Sequence, residues 1–279
     1  MSSRALNTTG RSLTITTTLL FAAVALCADP APRPPIASAA AVMLDDKQGP
    51  DARNAVITAN DDRAGELIAE MARGLGDDPV EEYRRIPWIW RVAVAAGKRN
   101  DAVQLKSVLE ASLPAEDAPL HDWQSVVLGG GVINGLTQAG EWPRVRVEKI
   151  IGDDAALNRR WNQANEKSAA LADNEKVNHG TRYDALRMIA MRDWERSGPQ
   201  LRNYLAKGTH RELQMGAVSA CGDIDDPRAA AALIEYLPGL DARNVPLAID
   251  ALKRTAERKH LLDEAVTAGQ VPAALLKTK

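Results

Sequence analysis

The sequence predicts an all-α protein, an α-solenoid of helical hairpins, and three observations carry that expectation. Aromatic residues are scarce at 4%, and β-branched runs are nearly confined to the N-terminus. That balance favours packed helices over pleated sheets. Apolar residues recur at helical spacing through most of the chain, and the last third repeats itself at an interval near 32 residues. Charges nearly cancel at a formal −2. With no clustered basic surface, a nucleic-acid partner is not expected.

The first 28 residues read as a signal peptide. Arg4 and Arg11 precede a charge-free run from Leu13 to Leu26 that ends in "ALCADP". A basic start, a short apolar middle and small residues before a polar stretch are the grammar of secretion. Cleavage after Cys27 or Ala28 places the mature chain outside the cytoplasm, periplasmic or secreted, with no transmembrane segment. An uncleaved anchor and a lipoprotein lipidated at Cys27 are the alternatives, the bulky Leu26 speaking against the second. Cleavage leaves Cys221 alone, so no internal disulfide forms. Residues 29–60 follow as a flexible linker, rich in Pro and Ala at its start.

Residues 61–172 read as six irregular helices. Asp62 caps the first, which runs to Met71 and Gly74. Pro87 opens another that ends near Gly97, and Asn100–Asp101 starts the next, with Leu105, Val108 and Leu109 on its buried edge. Asp122, Pro143 and Asp153 or Asp154 mark further starts. Within this half, "VVLGGGVINGL" places Gly129, Gly131 and Gly135 in a spacing seen in some nucleotide-binding turns. Such a turn works only between a strand and a helix that receives the phosphate. The surrounding pattern is helical, so the expected role is a thin helix that lets a neighbouring backbone approach.

Residues 173–279 carry the repeats. Ala185, Ala217 and Ala248 anchor three first helices, and second helices follow from Pro199, Pro227 and Lys259. In the middle unit Leu213, Ala217, Ala220 and Cys221 form one apolar face, answered by Ala230, Leu233, Ile234 and Leu237. Between them lies "GDIDDP". Asp226 is an N-cap and Pro227 a first helical residue. Gly222 is read as a left-handed helix end, and Asp223 and Asp225 as solvated turn residues. A calcium loop is a poor match, because Pro227 falls at the third ligand position and Ile234 at the twelfth. Cys221, at an apolar helical position, is expected to be a buried free thiol.

The stretch "AVSACGDIDDPRAAAALIEYL" resembles a HEAT repeat of the short, phycobilisome-lyase type, whose helices are joined by a G-D-x-x-D-P-R-A turn. Three further stretches, "EEYRRIPWIWRVAVAAGKRNDA", "DWQSVVLGGGVINGL" and "TRYDALRMIAMRDWERSGPQLRNYLAKG", are similar to a helical region of large exported bacterial proteins. In those proteins the region adjoins a dehydrogenase-like β-propeller and a c-type cytochrome domain. The likeness spans Asp61 to Pro272. This chain has neither the propeller nor a C-x-x-C-H haem motif, so the relatives' redox activity is not carried over.

What remains points to binding. The expected function is an exported scaffold that mediates protein–protein interaction, without catalytic residues, cofactor or metal. An accessory module of an extracytoplasmic redox or carbohydrate-active assembly is the second reading, and a nucleotide-binding enzyme the third. His121, His179, His210 and His260 are dispersed, with no zinc-binding spacing. Trp88 and Trp90 cannot share a direction on one helix, so one of them, beside Arg84, Arg85 and Arg91, is a candidate grip on a partner. At the C-terminus, Pro272 to Leu276 read as the opening of another first helix. Leu275 and Leu276 there are candidates for an edge that meets a second copy or a separate protein.

Overall fold

Every regular element in the computed structural model is helical, and no strand occurs among the described residues, 34–76 and 78–277. In chain order the helices are α1 (Ile36–Leu44), α2 (Pro50–Ala59), α3 (Ala64–Ala72), α4 (Pro79–Arg99), α5 (Ala102–Ser112), α6 (122–138) and α7 (Pro143–Ile151). They continue as α8 (Ala155–Asp173), α9 (His179–Ile189), α10 (Trp194–Leu205), α11 (Arg211–Asp223), α12 (Pro227–Tyr236), α13 (Val245–Leu252) and α14 (Ala256–Thr267). Short 3-10 turns occupy Asp61–Arg63, Leu237–Gly239 and Ala273–Lys277. No described helix is long and apolar enough to cross a membrane. Residues 1–28, read above as a signal peptide, lie outside the described residues.

Most helix starts follow from local chemistry. The side chains of Asp78, Asp101, Asp154, Asn178, Asp226 and Thr255 each accept a hydrogen bond from a free backbone N–H in the first turn. Pro50, Pro79, Pro143 and Pro227 stand in first turns, where no N–H is missed.

Several expectations are corrected. Pro87 and Pro199 lie inside α4 and α10 rather than at their starts. An internal proline costs roughly 3 kcal/mol, yet α4 runs on because both of its ends are fastened. Ile89, Val92, Ala93 and Ala96 are buried after the proline. Before it, Arg84 donates to the Leu44 carbonyl at 2.9 Å, and Arg85 to those of Met71 and Arg73. Gly97 does not end the helix; Asn100 does, in the left-handed region at φ 57°. Nor does Gly222 end α11, which continues to Asp223. Asp62 sits in a 3-10 turn ahead of α3, not at its cap. The linker expected at 29–60 contains α1 and α2. Its Ala-rich segment docks because Ala39, Ala40 and Met43 fall on one face and are buried. At the C-terminus, Ala273–Lys277 is a 3-10 turn rather than a new helix. There Leu275 and Leu276 are half-buried against the core.

The glycine segment is packing. Helix α6 adopts π geometry from Val126 to Ile133 and passes between α4 and α9. A Cβ at Gly135 would lie 2.5 Å from the Val94 carbonyl oxygen and 2.7 Å from Cα of Gly97. One at Gly129 would lie 2.1 Å from the Asp184 carbonyl oxygen, and one at Gly131 would lie 2.6 Å from Cβ of Ala93. Three backbones therefore meet where no side chain fits. A Cβ at Gly130 would touch both the Asp184 carboxylate and the Trp90 indole nitrogen, which locates that acid against the thin helix. Burial holds the Asp184 carboxyl well above the usual carboxylate range; Arg187 opposes the shift and Glu212 adds to it.

From α9 onward the first helices α9, α11 and α13 pack side by side, and α10, α12 and α14 form a second row. The same positions recur in each hairpin. Leu201, Leu233 and Ala265, 32 residues apart, are all buried. Arg182 and Gln214, also 32 apart, are buried polar residues with one task. Arg182 donates to the Ala172 carbonyl at 2.7 Å, and Gln214 to those of Leu205 and Ala206 at 3.2 Å. Each thereby satisfies carbonyls left open where the preceding helix ends. In the next unit Asn244 donates to the Gln214 side chain at 3.0 Å.

Two outcomes follow from this packing. Gly135→Ala should destabilise the protein by about 1–3 kcal/mol or more, since backbone cannot yield as a side chain would. Gly76→Ala, with nothing within 4 Å of the added carbon, should stay within about 0.5 kcal/mol; urea titration of the two variants checks both. For Asp184, the folded state holds the proton more tightly than the unfolded chain, so unfolding releases it. Stability then falls as pH rises from 3.8, the ordinary value, toward the raised one. Asp184→Asn should flatten that slope in melting curves and raise the Tm at neutral pH.

Candidate functional site

The acidic turn that ends α11 is the floor of a cleft. Asp223 is the last residue of the helix, turned inward at 1% exposure, and it accepts two hydrogen bonds from Arg187 of α9, at 2.7 and 3.0 Å. The hydroxyl of Thr137, on α6, lies 2.5 Å from the other carboxylate oxygen and 3.0 Å from the Ile133 carbonyl. With a single proton to give, it donates best to the charged acceptor. Arg187 also donates to Thr137 at 3.3 Å. Burial alone would lower the Arg187 pKa, but the Asp223 carboxylate beside it reverses the sign and raises it. The expectation of a solvated Asp223 is therefore wrong. Its partner lies 36 positions away in sequence, beyond any local signal. Asp226 does cap α12, at 2.8 Å to the Arg228 N–H, and Asp225 is exposed.

Above this floor the cleft holds about 570 Å³, within the range of ligand sites. Its wall is built by repetition. Tyr183 of α9, Met215 of α11 and Leu247 of α13 line it at 32-residue intervals, 183 to 215 and 215 to 247. Arg187, Ser219 and Ala251 form a second line at the same spacing. The Tyr183 and Ser219 hydroxyls are 3.4 Å apart across the rim. Asp250 and Arg254 add one charge of each sign at the edge.

Arg254 and Arg258 fasten the far end of this region. Both guanidiniums lie over the Trp142 ring, at 3.9 and 4.9 Å. Arg254 donates to the carbonyls of Gly222 and Glu141, and Arg258 to those of Cys221 and Ile224. They thus answer the open C-terminal carbonyls of α11. Burial lowers the pKa of each. Cys221, expected as a buried thiol, is fully buried, and burial pushes it up to about 12. A thiol held protonated at neutral pH is a poor nucleophile.

The candidate grip around Trp88 is engaged with the chain's own residues. Trp88 and Trp90 do diverge: the Trp88 ring lies against Arg53 at 3.8 Å and Arg91 at 4.4 Å, while Trp90 turns toward Gly130. Arg84 and Arg85 both pair with Glu81, at 2.8 and 2.6 Å, and also donate to carbonyls of other helices. These side chains tie α4 to its neighbours. Leu275 and Leu276 lie apart from the cleft, in the 3-10 turn packed against α13. What the sequence reading missed is the set Tyr183, Met215 and Leu247. The 32-residue repeat spacing carries the signal for it, since it extends to these half-exposed positions as well as to the buried ones.

No family model matches the chain, and neither a curated protein nor a solved structure does so. The likeness to a HEAT repeat therefore rests on the turn residues quoted above.

Two aspartates of one turn now have separable roles. Asp223→Ala leaves Arg187 buried without its counter-charge and should cost about 3–5 kcal/mol. Asp226→Ala removes a cap and should cost about 0.5–2 kcal/mol. Chemical denaturation of the two variants under one buffer tests the ranking.

Proposed function

We propose that this protein is an exported, non-enzymatic scaffold, an α-solenoid of HEAT-like hairpins that binds a protein partner along the face made by α9, α11 and α13. The observation that carries the reading is the register of the cleft wall. Tyr183, Met215 and Leu247 occupy one position in three successive hairpins, so the same site on each unit faces the same groove. Stacked repeats make extended binding surfaces in this way. The wall combines an aromatic ring, a thioether and an aliphatic chain, of which the pliable methionine suits a surface that accommodates another chain. The polar floor favours recognition over reaction, since Arg187, Asp223 and Thr137 already satisfy one another.

Export rests on the grammar of residues 1–28, and it places the partner in an extracytoplasmic compartment. The test uses native material. Intact mass should show a new N-terminus near Ala28 or Asp29 in an extracytoplasmic fraction. A protein partner crosslinked there should be lost when Met215→Glu and Leu247→Glu are combined, and kept with Val145→Glu, which changes an exposed residue elsewhere. Retention of Met1 in a cytoplasmic pool would refute export. A partner indifferent to both cleft substitutions would refute the binding face.

A further inference from the structure

The dispersed histidines are not all dispersed in space. His179 is the first residue of α9, and His210 immediately precedes α11. Because α9 and α11 lie side by side, the two starts adjoin. The imidazole rings stack with centroids 3.6 Å apart and planes 22° from parallel. Glu212, in the first turn of α11, brings a carboxylate to the same place. One ligand atom from each of the three lies within 4.8 Å of the others.

We infer that His179, His210 and Glu212 form a binding site for a divalent transition-metal ion of the zinc, nickel or copper type. The donor set is two imidazole nitrogens and one carboxylate oxygen, a combination that suits these ions. Ligand atoms around a tetrahedral zinc stand about 3.4 Å apart, given bonds near 2.1 Å. Closing from within 4.8 Å to that separation requires the two imidazoles to leave their stack and turn their in-plane lone pairs to one point, and both histidines are exposed. Three protein donors leave a further position for water or for a group from outside.

The surroundings sharpen the choice of ion. Two helix N-termini point their positive ends at this spot, which disfavours any cation. One carboxylate can offset that field but cannot hold a calcium or magnesium ion, which needs several oxygen ligands. Affinity must therefore come from the imidazoles, and hard cations are excluded. A bound ion would clip the N-terminal ends of α9 and α11 together. The Arg187–Asp223 pair already fastens the same two helices near their C-terminal ends.

The test takes the untagged full chain, stripped with a chelator, and titrates it with zinc chloride and with nickel chloride by calorimetry. One ion should bind per chain, and the Tm should rise with either metal, because the ion selects the folded state. His179→Ala and His210→Ala should each weaken binding by about tenfold or more, and Glu212→Gln by less. The pair His121→Ala with His260→Ala should leave it unchanged, and circular dichroism should show every variant folded. Calcium and magnesium should neither bind nor shift the Tm. Failure of the wild type to bind zinc and nickel, equal affinity in the His179→Ala, His210→Ala double variant, or equal binding of calcium would each overturn the site.

Discussion

Close approach of three backbones at α6 is the constraint on which the rest of the molecule depends. Gly135 meets Gly97 of α4, and Gly129 meets the Asp184 carbonyl of α9. No residue larger than glycine fits these contacts without moving backbone. Helix α6 joins the irregular N-terminal helices to the repeating ones, so both halves are positioned by its thinness. Its π geometry over Val126–Ile133 falls in the same segment.

From that junction, polar groups set the spacing of the later hairpins. Arg187 and Asp223 bind α9 to α11, with Thr137 of α6 as the third member. Arg182 and Gln214, one unit apart, each answer carbonyls from the preceding turn. Buried pairs of this kind add little net stability against a hydrophobic replacement, but a one-residue slip would strand a charge. Register is what they secure. The wall of the cleft inherits that register, which is why equivalent side chains of three helices line one groove.

Arginine is used in the same manner at two tryptophans. Arg53 and Arg91 lie over Trp88, and Arg254 and Arg258 lie over Trp142. In each case the cation supplies apolar stem, ring contact and, for Arg53, Arg254 and Arg258, donors for backbone carbonyls. Trp88 and Trp142 thus serve as platforms for charge, while Trp123 and Trp161 are buried in the core.

Local chemistry was legible in the sequence wherever a residue acts on its own neighbourhood. The helical class, the caps at Asp101 and Asp226, the helix start at Asp153 or Asp154, the buried stripes around Leu105 and Leu213, and the packing role of the glycines all follow from spacing and backbone preference. Tertiary contacts decided the rest. Pro87 and Pro199 sit inside helices because packing on both sides outweighs one lost hydrogen bond. The segment read as a linker contains α1 and α2, and α1 docks because α3 and α4 cover its apolar face at Ala39, Ala40 and Met43. Asp223 turns inward for Arg187, 36 residues back, and His179 meets His210 only because their helices are neighbours. A sequence states what a residue can do within a turn or two. Which carboxylate is buried and which histidines meet depends on partners that only the folded chain brings within reach.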